Sequence, residues 1–160
     1  MDFLTFNQEY TSTIQAERVF KALILDAPNL IPKLMPQAIK KVQLVEGNGG
    51  PGSIQEITIA EGDQIKHLKH RIDGIDQEKL TYSYAVIEGD ALLEKVDSIS
   101  HEIKVEPTEK GGCKVTTVSK YHPKPGVEIK EDDFKAAKEQ GLALLKVVDA
   151  HLIANPQAYA

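Results

Sequence analysis

A single long helix placed after a run of short strands is the feature that most limits the folds open to this chain. From about Glu131 to Ile153 apolar residues recur with helical period, and Phe134, Ala137, Gly141, Leu145, Val148 and Leu152 form one stripe. Glu131, Asp132 and Asp133 open the segment, where carboxylates oppose the helix dipole favourably, and Asn155-Pro156 closes it. Strand-like segments precede it: "FLTFNQEYTSTI", "IKKVQLVE", "SIQEITIA", "IKHLKHRIDG", "KLTYSYAVIEGD", "VDSISHEIKVE" and "CKVTTVSKYH". Turn signals recur between them, at Glu46-Gly47-Asn48, Glu61-Gly62-Asp63, Asp73-Gly74, Glu88-Gly89-Asp90 and "TEKGG". Their close spacing predicts antiparallel hairpins. After the first strand, Val19, Phe20, Leu23 and Ile24 have helical spacing, and Pro28, Pro32 and Pro36 punctuate the next dozen residues. Two short helices, or a helix and a turn, are expected there. The order predicts an α+β fold with an antiparallel sheet, whose apolar face only the last helix is long enough to cover.

That helix is uneven. Its second half carries Leu144, Leu145, Val147, Val148, Leu152 and Ile153, whereas its first half carries Ala136, Ala137 and Gly141, with Phe134 as its one large residue. A glycine inside a helix costs about 1 kcal/mol relative to alanine. Either the helix packs closely on the sheet there, or a void lies beneath it. An empty void also costs stability, so a ligand would account for it. On the strands, Leu80, Tyr82, Tyr84 and Val86 share one face, and His101 lies between Ile99 and Ile103 on another. An apolar wall with a few polar handles is how small-molecule pockets are built; a satisfied core histidine with two half-buried tyrosines is the alternative.

Other chemistries find little support. The 160 residues suit one domain, and the formal net charge of -5 disfavours a nucleic-acid partner. Cys113 is the only cysteine, so no intrachain disulfide forms. The first residues show no secretory pattern, and no apolar run approaches the roughly 20 residues that span a bilayer. A cytoplasmic protein without a membrane partner is expected. The loop Glu46, Gly47, Asn48, Gly49, Gly50, Pro51 and Gly52 resembles a phosphate cradle in glycine content alone. It lacks the Gly-Lys-Ser/Thr ending, and a strand comes after it where a phosphate site needs a helix N-terminus. His67 and His70, three apart on a strand, point to opposite faces, so no metal site is expected. No nucleophile motif is present, and no catalytic residue is assigned.

Over essentially its whole length the chain resembles the plant pathogenesis-related class 10 family, that of the major birch-pollen allergen. "LILDAPNLIPKLMPQAIK", "EGNGGPGSIQEITIAEG", "YSYAVIEGDAL" and "KYHPKPGVEIKEDDFKAAKEQG" carry the likeness, in order and without evident gaps. The resemblance implies a helix-grip, START-like fold: a curved seven-stranded antiparallel sheet around a long C-terminal helix, two short helices, and an enclosed apolar cavity. It implies a monomeric, cofactor-free, intracellular defence or stress protein. Its partners would be amphipathic plant small molecules such as cytokinins, flavonoids and sterol-like hormones. Ribonuclease or small-molecule-condensing activity is the enzymatic alternative within the same fold, and hormone reception a third role. Carried over by position, the cavity wall would comprise Leu23, Ala38, Ile57, Ile59, Ile65, Tyr82, Tyr84, His101, Ile103, Ala136, Ala137, Gly141 and Leu144. Leu23, Ile59 and Ile65 stand where the birch protein has phenylalanines, which implies a reshaped pocket.

Overall fold

A computed structural model describes residues 3–160, with Ala91 and Leu92 by their backbone only. Seven strands form in chain order: β1 (Leu4–Ser12), β2 (Ile39–Glu46), β3 (Ile54–Glu61), β4 (Gln64–Asp76), β5 (Thr81–Glu88), β6 (Val96–Pro107) and β7 (Cys113–Pro123). All pair antiparallel in one sheet, ordered β1-β7-β6-β5-β4-β3-β2. Every step from β2 to β7 is therefore a connection between neighbours. The crossing from edge β1 to edge β2 runs through α1 (Ala16–Phe20), a π-helical turn (Lys21–Leu25) and α2 (Ala27–Leu34). The long helix α3 spans Asp132–Ala154.

Local chemistry explains these boundaries. Along β1 inner and outer residues alternate without a break, so Phe6, Gln8, Tyr10 and Ser12 share the inner face. Helix α2 begins with Pro28 in its first turn, carries Pro32 inside, and ends before Pro36. The Asp73-Gly74 pair does not make a hairpin turn, contrary to expectation. Ile72 pairs with Tyr84 and Gly74 with Ser83, so Asp73 is the extra residue of a bulge within β4. The bulge turns Asp73 toward Arg71, whose Nε donates to it at 2.7 Å. The reversal falls later, where Asp76 Oδ1 accepts from the backbone N–H groups of Glu78 and Lys79, each at 3.0 Å. Leu80 ends this turn at φ 57° and buries its side chain in the core.

The core forms two separate clusters. Phe134 of α3 packs with Val86, Val96, Ile99 and Tyr121. Leu145, Val148 and Leu152 pack with Phe20, Leu23, Leu30, Val105 and Val115. Polar clamps reinforce the second cluster. Asp149 accepts from the hydroxyl of Tyr10 at 2.9 Å and from that of Ser12, tying α3 to β1. The guanidinium of Arg18 donates to the carbonyls of Leu152 (3.2 Å), Asn155 (3.0 Å) and Ala158 (3.0 Å). It thereby satisfies helix-end acceptors and places a cation at the negative end of the dipole. Beyond it, Tyr159 donates to Asp26, which fixes the tail against the start of α2. Replacing Arg18 by Met keeps much of the apolar stem and removes the donors. Urea unfolding is expected to show a loss of about 2 kcal/mol with an unchanged slope.

Candidate functional site

Between the two clusters lies a cavity of about 270 Å³. Its roof is the small-residue half of α3. Phe134 is fully buried and Leu145 nearly so, while Ala137 and Gly141 between them remain accessible on the void. A Cβ built on Gly141 would meet nothing nearer than Gln8 Oε1, at 3.7 Å. The helix is therefore not pressed against the sheet at this glycine, which decides between the two readings of its small residues.

The floor comes from inner-face positions of the strands. Phe6 and Gln8 of β1, Leu68 and His70 of β4, Tyr84 and Val86 of β5, His101 and Ile103 of β6, and Thr117, Ser119 and Tyr121 of β7 line it. Phe6, Phe134 and Tyr121 close one end as a ring cluster, with centroids 4.2–6.0 Å apart. A polar strip continues inward. Tyr121 meets His101 edge-on at 6.1 Å, His101 lies 5.0 Å from Tyr84, and Tyr84 stacks on His70 at 4.7 Å. His101 Nδ1 is paired with Ser119 Oγ at 2.7 Å. Burial holds both imidazoles at about 4, well below the ordinary histidine value. The nearby His101 adds to this for His70, whereas Asp90 pulls His101 weakly the other way. Burial also raises Tyr84, Tyr82 (to about 12) and Tyr121, so the strip is uncharged at neutral pH.

Of the expected wall residues, Leu23, Tyr84, His101, Ile103, Ala137, Gly141 and Leu144 line this cavity. The others do not. Ile65 is 56% exposed, three positions from Leu68 and so on the outer face. Ala136 is exposed, and Ala38 and Ile59 lie toward the β2 edge, where the Ala38 carbonyl accepts from Ala60 N–H at 2.8 Å. Ile57 is buried opposite Leu68 without reaching the void. Tyr82 packs into the second cluster and borders a separate hollow of about 440 Å³, formed with Thr81, Ser83, Glu102, Lys104 and Thr116. Sequence reasoning missed His70 as a wall group, along with Phe6, Ser119 and Tyr121. The alternation of Val115, Thr117, Ser119 and Tyr121 was the available signal, since hydroxyls on an inner face need a polar space to serve.

The glycine-rich loop joins β2 to β3 and satisfies its own amides. Gly49 N–H donates to Ser53 Oγ at 2.9 Å, Gly50 N–H to Asn48 Oδ1 at 3.0 Å, and Gly52 N–H to the Ile72 carbonyl at 2.7 Å. These donors are spent within the protein, so they are not aimed at an anion. Gly47 has φ 86°, and a Cβ there would sit 2.4 Å from Ser53 Oγ, which makes glycine obligatory. His67 faces outward beside Thr58 while His70 faces the cavity, as the strand period requires. Among the described residues no group of three metal-ligating side chains converges, and no helix is long and apolar enough to cross a membrane.

Residues 1–155 match the Pathogenesis-related protein Bet v 1 family. The chain belongs to that family. Major allergen Pru ar 1 of Prunus armeniaca is 50% identical over 159 residues, 99% of either chain. The crystal structure of Ara h 8.0201 superposes with a TM-score of 0.88 at 30% identity, covering 96% of this chain and 100% of that one. Norcoclaurine synthase from Thalictrum flavum, solved with dopamine and hydroxybenzaldehyde, shares the fold at a TM-score of 0.74 and 22% identity, with 96% and 88% coverage. This Bet v 1 family member therefore has the helix-grip fold, built from a curved seven-stranded sheet, a long C-terminal helix and two short ones.

The half-buried cavity histidines give a pH signature. Their folded pKa lies below the unfolded value of 6.5, so below pH 6.5 the unfolded chain binds more protons. Stability is full above pH 6.5 and falls as pH drops toward 4, by on the order of 1–3 kcal/mol per histidine. Thermal melts from pH 7 to 4.5 are expected to show a smaller decline in His70→Gln than in the parent protein.

Proposed function

We propose that this protein binds amphipathic plant small molecules, such as cytokinins, flavonoids and sterol-like hormones or metabolites, in the cavity beneath α3. It does so as a monomeric cytoplasmic component of defence or stress responses. The observation that carries the reading is the cavity beside Gly141, where an added Cβ would meet no tight contact. The family's small helix residues stand over a void of about 270 Å³ with apolar walls and one polar strip. Such a space costs stability when empty, and a ligand offsets that cost. Burying about 200 Å² of apolar ligand surface contributes roughly 5 kcal/mol before the costs of association. Hydrogen bonds to Tyr84 and His101 then orient the ligand's polar edge. Micromolar affinity with broad selectivity is the outcome of such a site.

The enzymatic alternatives draw less from the site. Lys138, the lysine on the lining, holds its Nζ 4.1 Å from the Phe6 ring centroid. Glu46 is exposed at the start of a loop whose amides are already engaged. Titration of the protein with Nile red, followed by displacement with a cytokinin and a flavonoid, tests the proposal. Saturable dye fluorescence with competitive displacement at micromolar concentration is expected. Absence of saturable binding for all three overturns it.

A further inference from the structure

We propose that the cavity selects amphipathic monocarboxylates, seating the carboxylate on the patch formed by His70, Tyr84 and His101 and taking up one proton per ligand bound. This rests on the binding role above and assigns its ligand chemistry. The patch is built from groups left without protein partners. Among the described residues, neither the His70 ring nitrogens nor the Tyr84 hydroxyl has a hydrogen-bond partner in the protein. Among the same residues no side-chain nitrogen or oxygen is sealed away unpaired, so these atoms open on the void. His101 keeps one nitrogen for Ser119 at 2.7 Å and has Nε2 left over. Three polar side chains in ring contact thus present donors and acceptors to one space.

Charge decides what that space accepts. Two neutral imidazoles are cheap to bury, and either becomes a cation when an anion arrives beside it. The groups facing the pair are few. Tyr84 and Tyr121 are neutral phenols, Ser119 is a hydroxyl, and Gln55 is the register partner of His70 on β3. From α3 come Ala137, Gly141 and Leu144, with Lys138 drawn aside over Phe6. Asp90, at the His101 end of the lining, favours the charged form of that ring. Among the described residues no arginine is present on the lining to hold a dianion. One negative charge balanced by one imidazolium adds no net charge to the site. The proton comes from solvent and joins an imidazole nitrogen, the carboxylate accepts from that N–H and from the Tyr84 hydroxyl, and no ligand bond breaks. Burial keeps both rings near 4 in the empty protein, and a carboxylate in contact reverses that preference.

The probes are 2-naphthoate and its uncharged isostere 2-naphthamide, titrated into the full chain, with Nile red as the fold and cavity control. At pH 6 the naphthoate is expected to bind about tenfold or more tightly than the amide. Calorimetry in two buffers of different ionisation enthalpy is expected to give an uptake of about one proton. Histidine Cε1–H resonances are expected to move to imidazolium positions on naphthoate binding. His70→Gln and His101→Gln are each expected to weaken naphthoate about tenfold and naphthamide by much less, so that the preference for the carboxylate collapses. Equal or tighter binding of the amide overturns the proposal, as does naphthoate binding with both imidazoles still neutral. If Nile red binds and naphthoate does not, the carboxylate assignment alone falls. If Nile red also fails, the binding role falls with it.

Discussion

The structure depends on a helix that grips its sheet in two places and not between them. At one end Phe134 is fully buried among Tyr121, Ile99, Val96 and Val86. At the other, Leu145, Val148 and Leu152 enter the larger cluster, and Asp149 and Arg18 clamp the same stretch with hydrogen bonds. Each contact fixes one end of a rigid rod. The span between them, with Ala137 and Gly141 facing the sheet, can then leave space without losing its position.

The strand period sets the floor of that space. Inner positions of β1, β4, β5, β6 and β7 continue across the gap whether or not a helix side chain meets them. Where the helix supplies a partner they are mostly apolar or aromatic, as at Val86, Ile99, Val115 and Tyr121. Where it does not, they include His70, Tyr84, His101, Thr117 and Ser119. Polar groups in a low-dielectric hollow are tolerable when they are neutral or paired, and burial makes the two imidazoles neutral at pH 7. The same neutrality leaves the site responsive to a charge that enters it.

Much of this was legible in the residues. The stripe from Phe134 to Leu152 gives the length and the buried face of α3, and the gap in side-chain size along it marks the cavity. The turn signals at Glu46, Glu61 and Glu88 fall between strands as expected. A phase break accounts for one misplacement. Strand β4 carries an extra residue, Asp73, between Ile72 and Gly74, which breaks the two-residue count along the strand. Asp73-Gly74 therefore reads as a hairpin turn and is a bulge. His70 gives no sign in sequence that it faces the void, because its neighbours Lys69 and Arg71 make the segment look like a solvated face. Ile65 was expected on the wall by its position in the family resemblance, yet it stands on the outer side. Likewise the helical spacing of Val19 to Ile24 shows a helix but not its π turn at Lys21–Leu25, which depends on how the segment crosses the end of the sheet.

The central claim is that the space beside Gly141 is a binding volume and not a packing defect. The most direct test is Nile red titration of Gly141→Leu alongside its melting temperature. The Cβ of a leucine there would meet only Gln8 Oε1, at an ordinary contact distance of 3.7 Å, and the change removes a helix-weakening glycine. The account predicts a melting temperature equal to or above that of the parent protein, with dye affinity reduced about tenfold or more. A lowered melting temperature with unchanged dye binding would contradict it, placing the glycine in a close contact and the ligand elsewhere.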